Sequence, residues 1–170
     1  PIIKLLKNTF PNIIISVDTF WAETAKNTIL AGADIINDIS AGNMDKKMFN
    51  AIAKHNIPYI IMHMQGTPQY MQKNPTYNNV VNEVVNYFDE KIMELKSLNI
   101  STIIIDPGFG FGKTLEHNYQ LLNNLDAFKK FNLPLLVGAS RKSMIYNLLD
   151  TNSEKALNGT SVINTIALQN

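Results

Sequence analysis

The sequence predicts an α/β fold in which strands and helices alternate around a parallel sheet, and three observations carry that expectation. Five short apolar runs rich in β-branched residues recur along the 170 residues. Segments with apolar residues every three or four positions separate them. Polar residues gather where the runs end. Continuous apolar runs suit strands covered on both faces, and alternation with helices means βα units joined by right-handed crossovers.

The runs follow in order. "NIIISV" ends at Asp18, "ADII" at Asn37, "PYIIMHM" covers Pro58 to Met64, "TIIID" ends at Asp106 and "LPLLVG" at Gly138. Between them, a helix is expected from near Phe20 to Gly32, which sits where a glycine just past the last turn ends a helix, and Asn99 plays that part after Leu98. Tyr77, Val81, Val84, Phe88, Ile92 and Leu95 mark one face of a long helix, and Tyr119, Leu122, Leu125 and Phe128 mark another.

Two architectures compete, an open doubly wound sheet and a (β/α)8 barrel. A barrel needs eight strands, yet it builds its sites from the tips of many strands, which is where the polar residues of this chain fall. No Rossmann glycine turn is present. The chain starts at Pro1 rather than Met, its first residues do not read as a signal peptide, and "VINTIALQN" stops within a helical pattern. Both ends look cut, so the expected unit is a single barrel domain over 1–170, truncated at both ends.

Composition excludes several classes of function. With 45% hydrophobic residues and net charge +1, the chain reads as globular, with no basic stripe for nucleic acid and no membrane patch. No run approaches the roughly 18 apolar residues of a membrane span. The absence of cysteine rules out disulfides and thiolate metal sites and suits a reducing cytoplasm.

"IIIDPGFGFGKT", Ile103 to Thr114, ends like a phosphate-binding P-loop. The spacing fails. The loop needs a glycine five residues before Gly112, where Pro107 stands without an N–H, and Gly108 comes one residue late. The glycines do not fit the dinucleotide fingerprint either.

Asp18, Asn37, His63, Asp106 and Lys142 each lie at or just after a predicted strand tip. In a parallel architecture these tips share one face, so the residues are expected to meet in one pocket. Two carboxylates, an amide and an ammonium suit a flat heterocycle with alternating donors and acceptors. Duller readings stand beside this one. Asp18 could cap a helix, Asp106 could form a turn, Asn37 could be satisfied by backbone, and Lys142 could be solvated. His63, between Met62 and Met64, is expected to be structural, since three scattered histidines make no metal motif. Phe109 and Phe111 are read as a flexible wall against a ring substrate, and Met64 to Thr76 as a mobile polar connection.

"ISVDT", "GADIINDIS", "MHMQGTPQYMQ", "IIDPGFGFGKT", "GASRKSM" and "ALNGT", in that order, resemble the dihydropteroate synthase family. The resemblance implies a (β/α)8 barrel in which the five predicted βα units are equivalent to strands 3 to 7. It implies joining p-aminobenzoate to the pterin of dihydropterin methyl diphosphate, with release of diphosphate and help from magnesium. Asp106 would hold the amino-pyrimidinone edge, Asn37 and Asp18 the opposite side of the pterin, and Lys142 its carbonyl and N5. Met62 and Gly138 would line that pocket. Phe111 and Ser143 would border p-aminobenzoate. Asp18 is expected to stabilise the cationic methylene, which makes Asp18 and Lys142 the catalytic expectation.

The family's "TPDSF" and "STRPG" loops and its diphosphate-gripping Arg and His are not in this sequence, so no metal ligand and negligible activity are expected of these residues alone. The resemblance further implies a possible homodimer, in a family that sulfonamides inhibit. Three rivals remain: a methyltetrahydrofolate-binding methyltransferase, a Schiff-base aldolase using Lys142, and a non-catalytic binding module.

Overall fold

The computed structural model describes residues 1–170. They divide into two compact units, Pro1–Met62 with Glu90–Ile105, and His63–Asp89 with Asp106–Asn170.

The first unit is built on a parallel sheet. Its strands are β1 (Ser16–Asp18), β2 (Ile35–Asp38), β3 (Tyr59–Met62) and β4 (Ile103–Asp106), in the order β1-β2-β3-β4. Helix α1 (Ile2–Thr9) precedes β1, α2 (Ala22–Leu30) connects β1 to β2, and α3 (Met48–His55) connects β2 to β3. Ser16, Val17 and Asp18 pair with Ile35, Ile36 and Asn37, and β2 pairs with β3 from Ile36↔Tyr59 to Asp38↔Ile61. All four residues of β3 are buried, as its unbroken apolar run requires. β1 differs from expectation. It lies at the edge of the sheet, its outer residues are exposed, and only its last three positions pair.

The helix stops follow the sequence. Gly32 has φ +108° one residue beyond the C-cap of α2, and Asn99 has φ +60° after α4 (Val80–Ser97).

The second unit packs around aromatic residues. Phe88, Phe109 and Phe128 are fully buried, and the Phe88 and Phe128 rings meet edge-on with centroids 6.0 Å apart. Its helices are α5 (Leu115–Leu122), a 3-10 helix at Leu125–Phe131, α6 (Ser143–Leu148), a short 3-10 turn at Ser153–Lys155, and α7 (Leu157–Gln169).

Two expectations are corrected here. The periodic stretch from Tyr119 to Phe128 is not one helix. It breaks at Asn123 and Asn124, where the Asn124 amide bonds back to the Gln120 carbonyl (2.8 Å), a local alternative to continuing the helix. The fifth run, "LPLLVG", forms no strand; only Leu135 makes an isolated bridge. Pro134 lacks an N–H at its own position, and Leu136, Val137 and Gly138 after the bridge pair with no strand, so four strands stand where five were expected.

Candidate functional site

In the first unit, strand register creates the site pair. Because Asp18 and Asn37 face each other across β1 and β2, the Asn37 amide Nδ2 donates to Asp18 Oδ1 at 3.3 Å. Asp18 is exposed and Asn37 half-buried. The helix-capping alternative for Asp18 does not hold: the N-cap of α2 is Trp21, with no side-chain cap, and the Trp21 N–H goes to Thr19 Oγ1. Next along β2, Asp38 is buried and accepts from Ser40 N–H, Ser40 Oγ, Gly42 N–H and the Tyr59 hydroxyl, all at 2.7–2.8 Å. That network fixes the turn after Asn37. Met62, at the end of β3, is buried.

In the second unit the glycine loop carries the chemistry. Asp106 is buried, and its Oδ1 accepts the Gly108 N–H at 2.8 Å, so it is a turn former as well as a candidate ligand. Burial raises its pKa, against the opposing pull of the Gly108 N–H and the positive charges of Lys142 and Lys113. A Cβ on Gly138 would lie 3.7 Å from Lys142 Nζ and 3.9 Å from Asp106 Oδ2. Gly138 therefore leaves open the space that borders both charged groups.

Lys142 donates from Nζ to the Phe109 carbonyl and sits 4.7 Å from the Phe111 ring centroid. Burial lowers its pKa, with Asp106 acting in the opposite sense. The solvated-lysine alternative is thereby set aside. Ser143 follows, exposed, in the first turn of α6, and with Gln72, Lys113, Asn118, Met144 and Asn147 lines a cavity of about 340 Å³.

The two phenylalanines of the loop part company. Phe111 is half-exposed, as a wall for a ring would be, but Phe109 is fully buried in the core. The expectation that both rings line the site is corrected, because positive φ at Gly108, Gly110 and Gly112 turns the loop out of the alternation of an extended chain. The Met64–Thr76 connection is also better held than expected. Gln65 brackets Thr76 with two amide hydrogen bonds (2.8 and 3.1 Å), and Gln72 Nε2 donates to Gly110 O at 2.6 Å.

Sequence reasoning missed Lys113, dismissed with the failed P-loop. It is 4% exposed, and its Nζ donates to His63 Nδ1 (3.0 Å), His63 O (3.3 Å), Gly108 O (2.9 Å) and Phe111 O (3.1 Å). The missed signal was a lysine directly after a glycine loop and directly before a helix cap. Thr114 caps α5 by accepting the His117 N–H, and its own N–H donates to His117 Nδ1. His63 is structural, as expected. It is buried edge-on to Tyr87, and burial and the Lys113 charge push its pKa down to about 3.

No group of three or more His, Asp or Glu side chains gathers to hold a cation. No helix is long and apolar enough to cross a membrane.

A parallel sheet whose strands alternate with helices defines an α/β scaffold of the incomplete (β/α)8 barrel kind. The chain belongs to the family of pterin binding enzymes, matching it over residues 1–170.

It is similar to the dihydropteroate synthase of Escherichia coli strain K12, 43% identical over 169 residues, which cover 98% of this chain and 59% of that protein. Among solved structures it is similar to the Yersinia pestis dihydropteroate synthase with a sulfonamide drug complex, at TM-score 0.94 and 38% identity, covering 99% of this chain and 61% of that one. It also resembles the Xanthomonas albilineans dihydropteroate synthase in complex with 7,8-dihydropteroate, at TM-score 0.90 and 33% identity, covering 99% and 62%. The chain thus spans about three-fifths of the length of these relatives.

Proposed function

We propose that the protein carrying these residues is a dihydropteroate synthase that condenses p-aminobenzoate with (7,8-dihydropterin-6-yl)methyl diphosphate. The observation that carries the reading is the buried Asp106 carboxylate, whose Oδ2 borders the same Gly138 position as the Lys142 amine. Relatives 43% and 38% identical bear the synthase name, and a further one was solved with 7,8-dihydropteroate.

The chemistry follows from the charges. Asp106 keeps one oxygen on the Gly108 N–H and has the remaining lone pairs for the 2-amino and N3–H groups of the pterin. Lys142, with one proton on the Phe109 carbonyl, has two for the pterin carbonyl and N5. As the C–O bond to diphosphate breaks, the leaving group takes the electron pair and the methylene becomes cationic. We assign the stabilisation of that cation to Asp18, held by Asn37, because a preorganised carboxylate favours the cation more than the neutral ground state. The lone pair of the aromatic amine then forms the C–N bond, and the amine proton is lost to water or diphosphate. Phe111 and Ser143 are assigned to p-aminobenzoate, and Met62 and Gly138 to the pterin.

The same family resemblance extends the proposal to a single barrel domain that includes residues 1–170, a cytoplasmic homodimer, and magnesium held by residues other than those described. The test is diphosphate release by the full-length protein. It is expected to require both the pterin diphosphate and p-aminobenzoate and to yield 7,8-dihydropteroate by mass. Release independent of p-aminobenzoate, or none, would refute the reading.

A further inference from the structure

We propose that Lys113 is a positioning residue: its buried amine ties the two ends of the Gly108–Phe111 turn to His63 and so fixes the Phe111 ring that meets the aromatic amine. The last clause rests on the synthase reading, while the tie itself stands on the geometry.

Five consecutive carbonyls of this loop each accept a side-chain donor. Gly108 O and Phe111 O take Lys113 Nζ, Phe109 O takes Lys142 Nζ, Gly110 O takes Gln72 Nε2 at 2.6 Å, and Gly112 O takes the Tyr77 hydroxyl at 2.7 Å. The turn has a backbone bond of its own, from the Phe111 N–H to the Gly108 carbonyl at 3.1 Å, but three glycines at positive φ keep the loop out of a ladder or a helix, so side chains supply the other partners of its carbonyls. Lys113 supplies two of the five bonds and alone anchors the loop to His63, fifty residues away along the chain.

Its acceptors are a ring nitrogen and three carbonyls, with no carboxylate among them. Turning a lysine inward without a carboxylate partner costs free energy that an outward rotamer would avoid. The return is order at both neighbours of the charged cluster. Gly108, tied through its carbonyl to Lys113, donates its N–H to Asp106 Oδ1; Phe111, tied likewise, sets its ring against Lys142.

The experiment compares full-length wild type with Lys113→Met and Lys113→Gln, reading amide hydrogen exchange over residues 108–112 and steady-state kinetics. In Lys113→Met, exchange in this stretch is expected to quicken by about tenfold or more, because two anchoring bonds are gone. The KM for p-aminobenzoate is expected to rise about tenfold while affinity for the pterin diphosphate changes much less, as misplacement of a positioning group predicts. Lys113→Gln keeps one donor and should fall between; it carries both readouts if the methionine variant does not fold. Unchanged exchange in the loop, or equal losses for both substrates, would overturn the assignment. If wild type forms no p-aminobenzoate adduct, the synthase reading fails and exchange alone decides whether Lys113 holds the loop.

Discussion

The Lys113 amine lies 3.0 Å from Nδ1 of His63, and neither group keeps its ordinary pKa: burial and the Lys113 charge push His63 down to about 3, and burial lowers Lys113 to about 7. Both shifts become stability differences with pH. Between pH 6.5 and about 3 the unfolded chain binds a proton on His63 that the folded chain refuses, so stability falls as the pH drops through that window. Between pH 10.5 and about 7 the unfolded chain likewise binds a proton on Lys113 that the fold resists, so stability also falls as the pH drops there. Urea midpoints measured across pH should show both declines. His63→Gln should flatten the acid one and Lys113→Met the alkaline one; slopes identical to wild type in either variant would contradict the assignment.

Asp106 and Asp18 should separate binding from turnover. Asp106→Asn removes a buried carboxylate proposed to accept two N–H bonds and should weaken pterin binding by about tenfold to a hundredfold. Asp18→Asn should leave pterin affinity nearly intact and lower kcat, since its charge matters most when the methylene becomes cationic. Calorimetric pterin affinity beside kcat in the full-length protein distinguishes the two, and equal losses in both variants would end the division of labour.

Tyr59→Phe tests the turn after Asn37. The variant deletes the hydroxyl that donates to the fully buried Asp38 at 2.7 Å, leaving Gly42 N–H as the partner of that oxygen. A loss of about 1–2 kcal/mol in urea unfolding, with an unchanged denaturant slope, is expected. A loss within error would show that the bond is not needed.

Gly42→Ala should cost more. Gly42 has φ +75°, and a Cβ there would fall 2.5 Å from Cε1 of the Phe49 ring. Both the backbone and the ring would have to move, so a loss of about 2 kcal/mol or more is expected by the same measurement.

What the sequence determined by itself was the order of most elements and which polar residues stand at strand tips. Runs such as "IIID" and "YIIM" announce buried strands because burial on both faces leaves only apolar residues, and Gly32 and Asn99 mark helix ends because positive φ selects those residue types. Asp18, Asn37 and Asp106 were legible as strand-tip residues for the same local reason. Tertiary structure decided the rest. Phe109 went to the core while Phe111 stayed half-exposed, Lys113 found its acceptors on His63, and "LPLLVG" failed to become a strand. Periodicity reports only which way a regular chain faces. It is silent in a loop turned by three glycines, where the direction of a side chain depends on partners that the chain brings close only once it has folded.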